Sequence, residues 1–356
     1  MNLTPTSVKF DIGGGREVTI ETGKMARQAD GAVTVRCGDC ILLATVVANK
    51  EPKAGQSFFP LTVDYQEKFA SAGRIPGSFF KREGKLSDSE VLVSRLIDRA
   101  LRPLFPDDYL CDVQVLVTLI SSDPEVMPDA LAALAASAAL AVSDVPIQEI
   151  ISEVRIGRIK GEYIINPTRT QLAEADMDFI VAATAKNIMM VEGESKECQE
   201  EDLVKAIELA HDAIRIQVKA QEELRGLIGN PAKREFALPY ANEELKAKIE
   251  AFAAGKILEV SKSALGKHER GDAFGKIEEE LKEHLGELPE EDAPLVGKYF
   301  HKLEKEVVRN MILDQSIRLD GRVLDQVRPL AMEIDLLPSP TAPHCSPAAK
   351  RNPSPQ

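Results

Sequence analysis

The thirteen-residue run Ala130–Val142, built almost wholly of Ala and Leu, constrains the fold more than any other stretch of this chain. It is too short and too weakly apolar to span a bilayer, which takes about 20 residues. Ala is the strongest helix former, and its small side chain lets neighbouring backbones approach. A helix with no polar face has to be covered on every side. The run therefore predicts a helix packed tightly into a core. The elements around it must supply the bulk from Ala, Val, Ile and Leu, because Trp is absent and aromatics are only 5% of the chain.

The neighbouring sequence supplies such elements. Residues 8–20 place alternating apolar positions on both sides of Gly13-Gly14-Gly15 and read as a β-hairpin. Residues 33–48 repeat the pattern around Cys37-Gly38-Asp39-Cys40, where Gly-Asp suits a tight turn whose first residue needs φ > 0. Leu61 to Tyr65, Val113 to Ile120, residues 150–165, Phe179 to Ala183 and Ile188 to Val191 read as further strands. Val91, Leu92, Leu96, Ile97 and Leu101 have helical spacing, as do Leu203, Ile207, Ala210, Ile214 and Val218 within residues 202–228. Residues 240–316 are rich in Glu, Lys and Ala and are punctuated by Gly266, Gly271, Gly286 and Pro289. They predict a small all-helical region whose acidic runs are solvated helix faces. Val327 to Leu336 reads as a short strand. The expected class is α+β up to about residue 235, followed by helices, with no internal repeat.

At about 150 residues per domain, 356 residues leave room for two or three domains. Acidic residues outnumber basic ones 57 to 44, a formal charge of −13. That excludes coating nucleic acid by bulk charge, but not a local basic channel. Five Cys are too few, and odd in number, for a disulfide scaffold. Met1-Asn2-Leu3-Thr4-Pro5 shows neither the basic nor the apolar segment of a secretory signal. The expected compartment is the cytoplasm, with no membrane partner.

Three motifs have bland readings that outweigh functional ones. A phosphate loop at Gly13-Gly14-Gly15 would need a helix after it, and strands flank both sides. Cys37-x-x-Cys40 could be half a zinc site, but Cys111, Cys198 and the five His show no second paired spacing. His211 lies one step from an apolar stripe and reads as a half-buried structural or an exposed residue. No metal ligands are assigned.

Residues 66–106 are more informative. Between Glu67 and Arg102, eight Lys and Arg face five Asp and Glu, a net positive stretch in an acidic chain. The loop Gly73 to Lys85 holds Phe79 and Phe80, followed by Lys81, Arg82 and, further on, Lys85. Aromatics stack on bases and cations pair with phosphates, which is how single strands are gripped without sequence preference. Arg95, Arg99 and Arg102 recur at i, i+4 and i+7, so one helix face carries three guanidiniums able to fork phosphate oxygens. The competing reading puts the two Phe in a core and the arginines in surface ion pairs with Glu90 or Asp98, which are worth little.

The segments Phe58 to Tyr65, Gly73 to Gly84, Arg95-Leu96-Ile97-Asp98-Arg99 through Pro106, Ser121-Ser122-Asp123-Pro124, Asp129 to Ala132 and Ser316 to Arg322 resemble the bacterial polynucleotide phosphorylases. The resemblance runs from near the N-terminus to about Pro340. It implies an RNase PH-like core domain over residues 1–235, a helical domain over 236–316 and the start of a second RNase PH-like core over 317–340. The implied activity is phosphorolytic 3′→5′ degradation of mRNA, with inorganic phosphate releasing nucleoside diphosphates. It further implies a homotrimer with single-stranded RNA in a central channel, narrowed by the loop of Phe79, Phe80, Lys81 and Arg82, and possible degradosome partners. The family usually has Arg where Lys81 stands; Lys81 keeps the charge but loses the bidentate fork. The family's catalytic site, with its Mg2+, lies in the second core. The corresponding pattern here falls on Leu172, Asp178 and Ile180, where only Asp178 could be a ligand. Ser122-Asp123-Pro124-Glu125 replaces the serine-rich phosphate turn with two acids. The resemblance thus implies no catalytic residue and no Mg2+ in this chain. On sequence, the chain is an RNA-binding inactive fragment, an active enzyme with a site of its own, or a scaffold without an RNA role. The first is favoured.

Six prolines fall within the last 19 residues, and the tail from Thr341 onward departs from the family. Thr341 to Asn352 can be written in codons whose neighbouring frame reads His-Gly-Ser-Ala-Leu-Phe-Thr-Arg-Gly-Glu-Thr-Gln, the approximate family continuation. Residues 341–356 are therefore expected to be a frameshifted, disordered tail created by a one-nucleotide deletion near the codon for Pro340. Sequencing the gene across that codon should show the second core intact in the neighbouring frame; an unrelated coding context downstream would remove the explanation.

Overall fold

The computed structural model describes residues 4–334 and 344–345, apart from 14, 54–55, 57, 78–82, 84, 237–239 and 290. The chain divides into two units, Met1–Leu238 and Pro239–Gln356. Both expected hairpins are present in the first. β1 (Thr6–Asp11) pairs antiparallel with β2 (Glu17–Thr22), and β3 (Gly31–Cys37) with β4 (Cys40–Ala48). Gly38 opens the second turn at φ 59°. β5 (Leu61–Glu67) and β6 (Val113–Ser121) pair in parallel, which a hairpin cannot achieve. The crossover between them contains α1 (Asp88–Leu101). The six strands run in the order β1-β2-β3-β4-β6-β5.

The Ala-rich run is α2 (Pro128–Val142), and every residue from Asp129 to Val142 is buried. It packs on β3 and β4 on one side and on β7 (Ile151–Ile159) on the other. β7 belongs to an antiparallel four-stranded sheet with β8 (Glu162–Ile165), β9 (Met177–Thr184) and β10 (Ile188–Ser195), in the order β10-β9-β7-β8. The single turn α3 (Arg169–Leu172) precedes β9. Ile151 of β7 and Ile180 and Ala182 of β9 face α2, while Val154 and Val181 face α4 (Glu200–Leu227). The layers are thus the six-stranded sheet, α1 with α2, the four-stranded sheet, and α4. The far end of α4 returns Ala220 and Leu224 to the first core. Burial of Leu131, Leu134 and Leu140 stabilises the unit by about 1.5–3 kcal/mol apiece, while the alanines set the spacing.

The second unit holds α5 (Glu243–Lys262), α6 (Lys267–Leu285) and α7 (Ala293–Gln315). Asn242 caps α5 by accepting from the Leu245 amide at 3.0 Å. Ile249, Ile257, Leu281 and Phe300 form its separate core. The strand expected over Val327 to Leu336 is shorter than its pattern suggests. Among the described residues only β11 (Glu333–Ile334) forms, pairing with β12 (His344–Cys345). Pro329 cannot donate to a ladder, and Val327, Leu330 and Met332 are exposed. The other residues of the tail from Thr341 lie outside the described residues. No described helix is long and apolar enough to cross a membrane.

Gly31 shows how closely α2 approaches. A Cβ there would sit 2.2 Å from the Ala139 carbonyl oxygen and 2.8 Å from the Ser143 Cβ. The obstacle is helix backbone, which cannot rotate away. Gly31→Ala should therefore destabilise the first unit by about 3 kcal/mol, the upper end of overpacking costs, read as a lower urea midpoint.

Candidate nucleic-acid interface

The interface is built on α1. Ser87 and Glu90 form its capping box: the Ser87 Oγ accepts from the Glu90 amide at 3.3 Å, and the Glu90 carboxylate accepts from the Ser87 amide at 2.6 Å. Glu90 also accepts from the Glu67 amide at 2.7 Å, tying α1 to the end of β5. Arg95, Arg99 and Arg102 line a cleft of about 500 Å³ whose apolar lining includes Leu61 and Val63 of β5 and Val91 of α1.

The three arginines do different things. Arg102 donates to Asp98 at 2.9 and 2.5 Å and to the carbonyls of Phe59 and Leu61 at 3.3 and 3.2 Å. It clamps the start of β5 to the end of α1. Arg99 pairs with Glu192 of β10, joining the helix to the second sheet. Arg95 is exposed and has no ion pair among the described residues. Asp98 is thus a partner as the competing reading holds, but Glu90 is not, because the cap and the Glu67 amide occupy it.

Phe79, Phe80, Lys81 and Arg82 lie outside the described residues. The segments around them are held. The Phe69 amide donates to Glu83 at 2.6 Å, a short turn at Phe69–Ala72 ends on Gly73 at φ 66°, and the Ser122 amide donates to the Ser71 carbonyl at 3.0 Å. Lys85 is exposed just before the α1 cap, and Arg74 and Ile75 are exposed at the near side of the loop.

The bland motif readings agree with the surroundings. Gly13 and Gly15 take positive φ in the β1–β2 turn, with a strand on each side. Cys37 and Cys40 are buried, and burial pushes the Cys40 thiol up to about 12, so it is held protonated. His211 is buried with its Nε2 3.0 Å from the Thr184 carbonyl.

Asp178 sits where the family resemblance places the remnant of a metal site. Both its oxygens accept from Arg155, at 2.8 and 2.6 Å, and Arg155 also donates to Asp129 at 2.5 Å. Leu172 and Ile180 offer no donor atom. A divalent cation seeks several oxygens, so this set does not fit Mg2+. Nearby, Asp123 accepts the Glu125 amide at 2.8 Å, and Glu125 accepts the Thr170 hydroxyl at 2.9 Å. Two acids at that turn repel phosphate.

Comparison with known proteins agrees across the chain. The 3′ exoribonuclease family matches with its domain 1 over residues 14–146 and its domain 2 over residues 149–213. The RNA binding domain of polyribonucleotide nucleotidyltransferase matches residues 244–323. The polyribonucleotide nucleotidyltransferase of Parabacteroides distasonis is 52% identical over 340 residues, covering 95% of this chain and 46% of that one. That of Porphyromonas gingivalis is 52% identical over 339 residues, with the same coverage. That of Bacteroides fragilis is 50% identical over 340 residues, covering 95% and 48%. The chain belongs to the polyribonucleotide nucleotidyltransferase family. It spans about half the length of the curated relatives it matches. The domain 1 match contains the whole α1 cleft.

The first unit also holds a buried carboxyl that the sequence does not single out. Glu153 of β7 is buried, and neither carboxyl oxygen has a hydrogen-bond partner among the described residues. Burial raises its pKa well above the usual carboxylate range; Asp129 and Glu192 add to the rise and Arg155 opposes it. The folded state thus holds a proton that the unfolded state releases. Its stabilising contribution is complete below the unfolded pKa and is lost as pH rises through the raised folded value. Glu153→Gln should leave stability nearly unchanged near pH 4 and raise it progressively above that. Thermal unfolding against pH checks this: parallel curves for the two proteins would contradict it.

Proposed function

We propose that this chain is the RNA-gripping N-terminal portion of a phosphorolytic 3′→5′ exoribonuclease and is not itself catalytic. In the reaction of the whole enzyme, an oxygen of inorganic phosphate attacks the phosphorus of the last phosphodiester of single-stranded RNA. The bond from that phosphorus to the preceding 3′-oxygen breaks, releasing a nucleoside diphosphate and a shortened strand. The magnesium that such chemistry calls for belongs with residues outside this chain, since Asp178 is committed to Arg155. Cytoplasmic mRNA degradation by a ring of three such chains, with degradosome partners, belongs to the same reading.

The observation that carries the RNA grip is Arg95, exposed and unpaired among the described residues, on the wall of a cleft with an apolar lining. Its guanidinium can fork a phosphate while Leu61, Val63 and Val91 receive the face of a base. Arg102 and Arg99 then act as positioning residues, because their donors hold Asp98 and Glu192. Those two ion pairs also favour a second reading, a scaffold with no RNA role.

Filter retention of single-stranded RNA separates the two readings. The variant Lys81→Ala/Arg82→Ala/Arg95→Gln should reduce the slope of log affinity against log salt by about 2, from roughly 0.7 per lost phosphate contact. Unchanged retention would leave the scaffold. The purified chain should release no nucleoside diphosphate from poly(A) with phosphate and Mg2+; release would overturn the non-catalytic part of the proposal.

A further inference from the structure

Charge on α7 is sorted by sign around the helix. Lys298, Lys302, Lys305 and Arg309 recur at steps of four, three and four residues and are all exposed. At 3.6 residues per turn, they share an arc of about 60°. Val296, Phe300 and Leu303, which are buried, lie on the opposite side. The acids Glu304, Glu306 and Asp314 fall outside that arc.

Three cations on the other helices of the unit are neutralised locally. Lys246 pairs with Glu243 at 3.5 Å, Lys256 with Glu280 at 2.6 Å and Lys282 with Glu278 at 2.8 Å. Lys302, Lys305 and Arg309 have no ion pair among the described residues. They stand about 4.5–6 Å apart along the axis, at about 1.5 Å per residue. A nucleic-acid strand carries one phosphate at least about 3.4 Å from the next, so such cations can meet successive phosphates. Bulk charge cannot do this work here, because acidic residues outnumber basic ones 17 to 14 over residues 244–323. That stretch is the one matched by an RNA binding domain.

We propose that the α7 strip of Lys302, Lys305 and Arg309 is a second contact for the backbone of single-stranded RNA, separate from the cleft beside α1. The proposal rests on the reading that this chain binds RNA. An acidic protein is the competing partner class.

The test is fluorescence polarisation of a labelled oligoadenylate with the 356-residue chain, from low to moderate salt. Three proteins are compared with the unsubstituted chain: K302Q/K305Q/R309Q, Arg95→Gln, and the charge-matched control K9Q/K24Q/K160Q. The α7 variant should lower the salt slope by about 2, Arg95→Gln by about 0.7, and the control by nothing. An unchanged slope in the α7 variant, with a reduced one in Arg95→Gln, overturns the strip and leaves the cleft standing. Equal losses in the α7 variant and the control reduce the effect to bulk charge and also overturn it. If the unsubstituted chain binds no RNA, both readings fall. If polyglutamate displaces the RNA at equal charge concentration, the strip is a surface for acidic protein instead.

Discussion

The first unit depends on burying α2 between two sheets. A helix covered on all sides cannot send its end groups to water, so each has an internal partner or none. At the N-terminal end, Asp129 is favoured by the helix dipole and is gripped by Arg155 at 2.5 Å. At the other end, the Lys233 Nζ donates to the Leu140 and Ser143 carbonyls, both at 2.8 Å. Burial and the neighbouring Arg225 lower the Lys233 pKa to about 8. On its flank, the Ser137 hydroxyl accepts from the Ile151 amide at 3.2 Å, fixing the helix against β7. One hydrophobic demand thus dictates the missing side chain of Gly31, the position of Arg155 and the capping lysine.

Arg155 links this packing to the chemistry of the site. It is mostly buried between two carboxylates, so removing Arg155 would leave two uncompensated negative charges largely out of water, whereas removing either acid leaves it paired with the other. Glu153 stands on the same face of β7, where burial forces it toward its neutral form, with Asp129 adding to the effect and Arg155 opposing it. The net charge of −13 therefore describes the working surface poorly. Carboxylates inside the first unit are paired or desolvated, while cations collect on the solvent side of α1 and α7. The field near each surface is set by these local strips, over distances of about a Debye length, roughly 8–10 Å.

Elements whose signal is local were legible in the sequence. The two hairpins follow from apolar alternation around Gly turns, α1 and α4 from helical spacing, and α2 from having no polar face. The parallel pairing of β5 with β6 was not legible, because partner choice across a crossover leaves no mark in either strand. The site divides in the same way. Asp98 is four residues from Arg102, so their pairing could be read from a helix; Glu192 meets Arg99 across 93 residues of sequence and could not. Glu153 reads as an ordinary strand acid until its surroundings are known. Of the strand expected over Val327 to Leu336, only Glu333–Ile334 forms among the described residues, where His344–Cys345 supplies a partner, since an apolar run does not itself supply one.

The ion pair at Asp178 also bears on what it would take for this RNase PH-like core to hold a divalent cation. A carboxylate deprived of the metal's other donors would be left half-buried and unpaired, a costly state. A guanidinium on the adjacent strand repairs it, and once two acids share that guanidinium the arrangement becomes part of the fold. Returning donors at positions 172 and 180 would then not be enough to hold a divalent cation. The cation would have to displace Arg155 from Asp178, and Asp129 at the start of α2 would be disturbed with it. Any cation binding at Asp178 and the stability of α2 are coupled through one side chain, Arg155.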